Sequence, residues 1–377
     1  MKFTVNSKQL LQRLVTLATA QDSKNALPIL DCVKFTLNES SLTLTAGNTD
    51  HKVTTSLAVE NTSDTGQKIC IPSATVISFL KEVPDQPVEI TANDQTYEVT
   101  ITYQGGKAQF VGQDASVYPE PDTMQGSTFD FTIPASVISD GLRAAAPFIA
   151  NDELRPQMCG VFFDFLSDKS QLVLAASDGH KLCRYTFDNI ASAENRSFIM
   201  PARLIAILNR LAGSIQSDIT LTTTETQVII RIGEEYTINS RLIEGRFPNY
   251  NSVIPKDSPI HVHVDSSLFS QALRRILVFA SAASGLIRFN ITEDHITIEG
   301  QDLDFSTSGS ESVPCESNGT LKIGFNGIMM LDLLKTLPPT EINLRLTSES
   351  VAGVFTPQEQ SEGADLLMLL MPMMLTE

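Results

Sequence analysis

Ser177, Asp178 and His180 set a hydroxyl, a carboxylate and an imidazole within four positions, the three groups that acyl transfer requires. Nucleophile, base and orienting acid must approach from separate directions, and neighbours on one stretch of chain cannot converge that way. Asp178-Gly179 follows the apolar run Leu172–Ala176, so the segment reads as a strand end and a tight turn. His261 and His263 alternate, which puts both imidazoles on one face of a strand, as two ligands of a metal ion would be. No third ligand accompanies them at a recognisable spacing, so they read as a surface pair and no metal is expected. Gly105-Gly106 is a turn, and neither a nucleotide-binding glycine pattern nor an HExxH pair occurs. Cys32, Cys70, Cys159, Cys183 and Cys315 are odd in number and include no CxxC pair, against both a disulfide framework and a zinc site. The expectation is a reduced protein with no catalytic residues, no metal and no cofactor.

Function must then come from surfaces, and composition limits those. The chain has 377 residues and a mass of 41.1 kDa, enough for about two to four domains. With 42 % hydrophobic and 19 % charged residues each domain can bury a core, which excludes global disorder. Lysine plus arginine is 27 against 44 acidic residues, a net charge of −17. That excludes a generally basic surface for nucleic acid or anionic membranes, but not a local basic patch. No tryptophan and six tyrosines argue against an aromatic-rich glycan site. Lys8, Gln9, Gln12 and Arg13 interrupt the N-terminal apolar positions, which is not the pattern of a signal peptide. No run approaches the ~18 apolar residues of a membrane span, and a cytosolic location is expected.

The elements that carry these surfaces repeat. Phe3-Thr4-Val5-Asn6 runs into Leu10, Leu14 and Leu17. Phe131-Thr132-Ile133-Pro134 runs into Ile138 and Leu142, and Val262-His263-Val264-Asp265 into Phe269 and Leu273. Each is a short alternating strand, a cap and an amphipathic helix. Aligning Val5, Ile133 and Val264 gives offsets of 128 and 131 residues and brings Leu14, Leu142 and Leu273 into register. Asn6 and Asp265 suit N-caps, and Pro134 suits a helix start. A second helical pattern lies about 70 residues into each unit, at Pro72–Val83, Pro201–Leu211 and Asn326–Leu337. Between them lie Thr-, Val- and Ile-rich alternating runs such as Ser41–Thr45, Val99–Thr102, Ile219–Thr222, Val228–Ile230 and His295–Ile298, which predict strands. Turn-like connectors at Gln125-Gly126-Ser127 and Pro255-Lys256-Asp257 divide the chain into domains 1–125, 126–255 and 256–377. The fold class is α+β, each domain antiparallel sheet plus two helices.

Charge is unevenly shared between these elements. Across the helical windows 6–19, 73–83, 134–147, 201–212, 265–280 and 326–337 there are nine basic and four acidic residues, a net +5 that leaves −22 for the rest. If all six helices face one side, that side would attract a polyanion and the other would repel it; solvated helix faces account for the same count. The tail Leu367–Leu375 holds four of the ten methionines, adaptable side chains suited to apolar partners. A buried last strand and a segment lying across the surface both fit it.

Several motifs together resemble the bacterial DNA polymerase III beta subunit family, the sliding clamps. They are Met1–Val5, Leu27-Pro28-Ile29-Leu30, Ser177-Asp178-Gly179-His180-Lys181-Leu182, Glu244-Gly245-Arg246-Phe247-Pro248-Asn249-Tyr250, Ile323-Gly324-Phe325-Asn326 and Met371-Pro372-Met373, in family order across essentially the whole chain. The resemblance implies three DNA-clamp domains per chain and a head-to-tail homodimeric ring, helices lining the hole, that encircles double-stranded DNA without reading its sequence. It implies a non-catalytic processivity subunit that tethers the polymerase catalytic subunit, the clamp loader and other proteins bearing clamp-binding peptides. A repetitive surface or adhesion protein is the competing reading, opposed by the N-terminus and the scarce aromatics.

By motif, the family's peptide cleft maps onto Met158, Ser177, Gly179, His180, Lys181, Leu182, Pro248, Val253, Leu370, Met371, Pro372 and Met373. The family often has arginine where Ser252 and Met374 stand here, and Thr376-Glu377 extend past its usual end. For DNA the resemblance points to the loop of Lys24 and to helix residues Lys81, Arg143, Arg203, Arg210, Arg274 and Lys335; Asp152 stands where an uncharged polar residue is common. For the ring joint it points to Phe110, Val278 and Phe279.

Overall fold

A computed structural model describes residues 1–25, 27–61, 65–152, 154–212 and 218–375. The Thr376-Glu377 extension lies outside the described residues. The six expected helices are α1 (Ser7–Ala18), α2 (Ser73–Glu82), α3 (Ala135–Ala145), α4 (Ala202–Ala212), α5 (Ser266–Leu277) and α6 (Gly327–Thr336). Their starts follow from the caps. Asn6 Oδ1 accepts from the Gln9 N–H at 3.0 Å, Asp265 Oδ1 from Leu268 at 2.7 Å, and Asn326 Oδ1 from Ile328 and Met329. Leu10, Leu14 and Leu17 of α1, and Phe269, Leu273 and Ile276 of α5, recur on one face and are buried.

The chain forms two compact units, Met1–Ile138 with Ala206–Leu242, and Ser139–Ile205 with Ile243–Glu377. The first unit holds two antiparallel sheets. One runs Glu60–Asn61, Lys2–Asn6, Pro87–Ala92, Glu98–Tyr103, Gly106–Val111, so Gly106–Val111, which carries Phe110, is an edge. The other runs Phe129–Ile133, Ile219–Thr223, Gln227–Ile232, Tyr236–Arg241, His51–Ala58, Ser41–Gly47, Cys32–Leu37, Lys68–Pro72. In it, strands from distant parts of the chain pair directly, Ile238 opposite Val53 and Asn239 opposite Lys52. Helices α1 and α2 pack together, and α1 also lies against the eight-stranded sheet.

The second unit repeats the plan. Its nine-stranded sheet runs Arg196–Pro201, Gly160–Leu166, Gln171–Ser177, Lys181–Phe187, Ala364–Leu370, Gly353–Pro357, Glu341–Leu346, Ile260–Asp265, Glu316–Ser317. Its four-stranded sheet runs Thr307–Pro314, His295–Asp302, Leu286–Ile291, Leu321–Asn326. Ala364–Leu370 pairs along its length with Lys181–Phe187, Leu370 opposite Lys181 and Leu369 opposite Leu182. Helix α5 packs on α6, over a ladder of rings in which Phe269–Phe289, Phe289–Phe325 and Phe325–Phe355 centroids lie 5.7, 5.9 and 6.3 Å apart. All five cysteines are free; burial pushes Cys32 and Cys70 up to about 11 and 12, so these thiols stay protonated. Among the described residues no helix is long and apolar enough to cross a membrane.

Candidate functional site

The Ser177–Lys181 segment is a turn held by its own polar groups. Asp178 Oδ1 accepts from the N–H groups of His180 and Lys181, both at 2.9 Å. Ser177 Oγ donates to the Lys181 carbonyl at 2.8 Å and accepts from the Gly179 N–H at 3.1 Å. Gly179 takes φ +92°, a conformation that glycine reaches without the usual penalty. Serine, aspartate and histidine are thus spent on the turn and on solvent rather than on one another. His261 and His263 lie on one face of Ile260–Asp265, opposite Arg345 and Asn343, and no group of three metal-ligating side chains occurs among the described residues.

Arg155, which the sequence reading did not single out, braces this turn. Its Nη2 donates to the Asp178 carbonyl at 3.2 Å and its Nε to Asp152 Oδ2 at 3.0 Å. The Leu154 N–H and then Arg155 hold the Asp152 carboxyl below its ordinary value. Asp152 is therefore committed to Arg155. Only the three-residue spacing of Asp152 and Arg155 hinted at the pair.

Three distant stretches meet beneath the turn. Val173, Ala175, Leu182, Ile199, Phe247, Tyr250, Ala352 and Leu369 form one buried cluster, with Phe162, Ile243 and Ile254 against it. The Phe162 and Phe247 rings stack at 4.9 Å, and Tyr250 donates to Asp164 at 3.2 Å. Burial raises the Asp164 carboxyl, and the Tyr250 hydroxyl opposes that rise. On this floor the expected cleft residues divide into two sets. Met158, Lys181, Leu182 and Leu370 are buried; the Lys181 ammonium lies 5.5 Å over the Phe148 ring. Pro248, Val253, His180 and Met371 are exposed, and Pro372 and Met373 half-buried. The tail leaves the sheet after Leu370: the Met371 N–H reaches the His180 carbonyl, and the Met373 N–H the Gly324 carbonyl, each at 2.8 Å. Both readings of the tail hold, for successive segments. Ser252 and Met374 are exposed.

The expected basic residues all lie on solvent. Lys24 follows α1, Lys81 and Arg210 sit in the last turns of α2 and α4, Arg203 in the first turn of α4, and Arg274 in the last turn of α5. Arg143 and Lys335 are each paired with an aspartate three residues back, Asp140 and Asp332, at 2.9 Å. Of the joint residues, Phe110 is half-buried on its edge strand. Val278 is 78 % and Phe279 38 % exposed just past α5. The Phe279 ring lies against Gly309 of the edge strand Thr307–Pro314, its Cδ2 2.6 Å from where a Cβ would stand.

A strand-and-helix plan repeated along the chain, with exposed basic residues on its helices and a buried apolar cluster beside the Ser177–Lys181 turn, is that of a clamp-type protein. Models of the DNA polymerase III beta subunit match its N-terminal domain at residues 1–120, its central domain at 132–249 and its C-terminal domain at 251–373. The chain belongs to the DNA polymerase III beta subunit family; its function is that of a DNA polymerase sliding clamp, a processivity factor and not an enzyme. It is 22 % identical over 378 residues to the beta sliding clamp of Staphylococcus aureus, covering 98 % of each chain. To that of Synechococcus elongatus it is 28 % identical over 368 residues, covering 95 % and 96 %. The fold matches the crystal structure of the Pseudomonas aeruginosa sliding clamp with TM-score 0.91 at 22 % identity, and the Thermotoga maritima beta subunit with 0.90 at 21 %, each over 100 % of both chains.

Proposed function

We propose that the chain is built of three clamp domains, 1–125, 126–255 and 256–377, and that two copies close head to tail into a ring around duplex DNA in the cytoplasm. Phe110 on one edge strand, and Val278 with Phe279 beside another, support a joint in which one copy's first domain meets the other copy's third; a heterologous contact of this kind closes only when its rotation does. Lys24, Lys81, Arg143, Arg203, Arg210, Arg274 and Lys335 supply the attraction to phosphates, which carries no sequence information and leaves the ring free to slide. The polymerase, the clamp loader and other partners dock by short peptides in the crease between the Ser177–Lys181 turn, the Pro248–Val253 loop and the Met371–Met373 tail. The observation that supports this reading is the one buried apolar cluster shared by Leu182 beside the turn, Phe247 and Tyr250 of the loop and Leu369 just before the tail, the apolar floor that a peptide groove needs.

The test is topological. Loaded onto nicked circular DNA, the protein should stay through high-salt washing and leave when the circle is cut. Retention on the linear product would refute encirclement.

A further inference from the structure

The repeat that builds the partner crease in the second unit builds a counterpart in the first. Laying His180-Lys181 on His51-Lys52 matches Ala175–Leu182 to Ala46–Val53 without a gap, and each run leaves one strand, turns and enters the next. The same offset of 129 residues lays Phe247-Pro248 on Tyr118-Pro119 and Val253 on Met124. Sheet pairing extends the match, for Asn239 stands opposite Lys52 as Leu370 stands opposite Lys181. Packing extends it further. Lys34 and Phe162 each lie six residues after a proline, Pro28 and Pro156. Phe162 stacks on Phe247 at 4.9 Å, and the Lys34 ammonium sits 5.4 Å over the Tyr118 ring.

At this place in the first unit a cavity of about 270 Å³ opens, lined among others by Asp50, Lys52, Pro119, Met124, Asn239 and Arg241. Its chemistry is its own. Where the second unit has Phe162, Leu370 and Pro372, the first has Lys34, Asn239 and Arg241. Lys34 and Lys52 are buried with their ammonium groups already engaged, Lys34 with Glu120 at 2.6 Å and Lys52 with the Asn48 carbonyl. Solvent therefore meets three carboxylates, Asp50, Glu120 and Asp122, with side chains 58, 65 and 60 % exposed, against the one guanidinium of Arg241. Arg241 spans two of them, 2.7 Å from Asp122 and 3.8 Å from Asp50. Pro119, Pro121, Met124 and the exposed Leu27 supply the apolar part of the lining. The volume is just below the ~300 Å³ at which drug-sized sites begin, so it suits one aliphatic side chain of an extended segment.

We propose that this crease is a second peptide-docking site, for a basic partner segment that inserts an aliphatic side chain beside Met124 and sets a flanking arginine or lysine against Asp50 and Asp122. The inference rests on the reading of the Met371–Met373 crease as a peptide site.

Methionine methyl groups distinguish the two places, Met124 in the first and Met371 with Met373 in the second. The full-length protein labelled with ¹³C-methyl methionine, with Met124 assigned from a Met124→Leu spectrum, is titrated with capped Gln-Arg-Leu-Arg-Leu-Pro and with its Gln-Glu-Leu-Glu-Leu-Pro counterpart. The basic peptide should move the Met124 methyl saturably and the acidic one should not. Asp50→Asn with Asp122→Asn should weaken the basic peptide about fivefold, the effect of a surface ion pair worth about 1 kcal/mol. A Met124 methyl that stays still at millimolar basic peptide, or that answers both peptides alike or the double variant undiminished, would overturn the proposal. A family-type clamp-binding peptide run in parallel reads Met371 and Met373. Silence there refutes the Met371–Met373 crease, whereas movement there with Met124 silent refutes only the Met124 crease.

Discussion

The backbone N–H of Met371 donates to the carbonyl of His180 at 2.8 Å, one step beyond the last paired residues, Leu370 and Lys181. The tail is thereby fastened to the turn whose far side is braced by Arg155. Met371 itself remains 42 % exposed, so the fastening uses its backbone and leaves its side chain on solvent.

Deleting residues from Met371 onward should cost at least tenfold in affinity for a clamp-binding peptide, since burying one apolar side chain contributes about 1.5–3 kcal/mol and about 1.4 kcal/mol is tenfold. The central strand Ala364–Leu370 stays, so the dimer should persist on a sizing column. Calorimetric titration beside a melting curve checks both. Undiminished peptide binding would remove the tail from the cleft.

Gly179→Ala should hurt binding more than folding. The new Cβ would meet Arg155 Nη1 at 2.8 Å at a φ of +92°, so the turn and its brace must shift together. A strained backbone position of this kind costs about 1–3 kcal/mol. Peptide titration should show weakening with dimerisation intact; an unchanged affinity would show that the brace does not set the rim.

A charged residue at Phe279 should give a monomer by light scattering, because the ring is both exposed and seated on an edge strand that the joint would cover. If Phe279→Asp remains a dimer at micromolar concentration, the joint lies elsewhere.

Lys24→Glu with Arg203→Glu should reduce loading onto DNA equally for all sequences, because phosphate contacts carry no base information. The retained fraction should also depend less steeply on salt, as fewer counterions are released. A sequence preference in the unaltered protein would contradict the sliding reading.

Tyr250 gives an alkaline signature. Burial, then the Asp164 carboxylate it donates to, pushes its phenol up to about 12. The unfolded phenol titrates near ~10. The folded value is the higher, so the linked stability is whole below about pH 10 and is lost as pH rises from there towards 12. Tyr250→Phe should lower stability at pH 7 by about 1–2 kcal/mol through the lost hydrogen bond to a carboxylate. It should also flatten the fall above pH 10. Urea melts at pH 8 and pH 11 would show an unaltered slope if Tyr250 is not its source.

Helices and caps were legible because Asn6, Asp265, Leu14 and Leu273 obey local rules that hold whatever surrounds them. The turn at Ser177–Lys181 was legible for the same reason. What the residues did not reveal is depth. Leu182, Leu370 and Lys181 are buried, a distinction set by the pairing of strands far apart in the sequence. Nor could they reveal Arg155, whose role depends on where the Asp178 carbonyl points. The ion pairs that occupy Arg143 and Lys335 were readable in principle from aspartates three residues back, but a count of charges by helix hides them. The matched turn at Ala46–Val53 was in plain view as His51-Lys52, yet gained meaning only from its pairing with Asn239 and from the cavity beside it.

Sheet continuity sets a limit on modularity. Tyr236–Arg241 pairs with His51–Ala58 in the first unit, and Lys181–Phe187 with Ala364–Leu370 in the second. The middle copy of the repeat thus lends one group of strands to each neighbour's sheet. Duplication could multiply this motif, but excision cannot undo it. Residues 126–255 expressed alone would carry two raw strand edges, each a template for the next chain and so a site of aggregation that the pairing within the intact polypeptide covers.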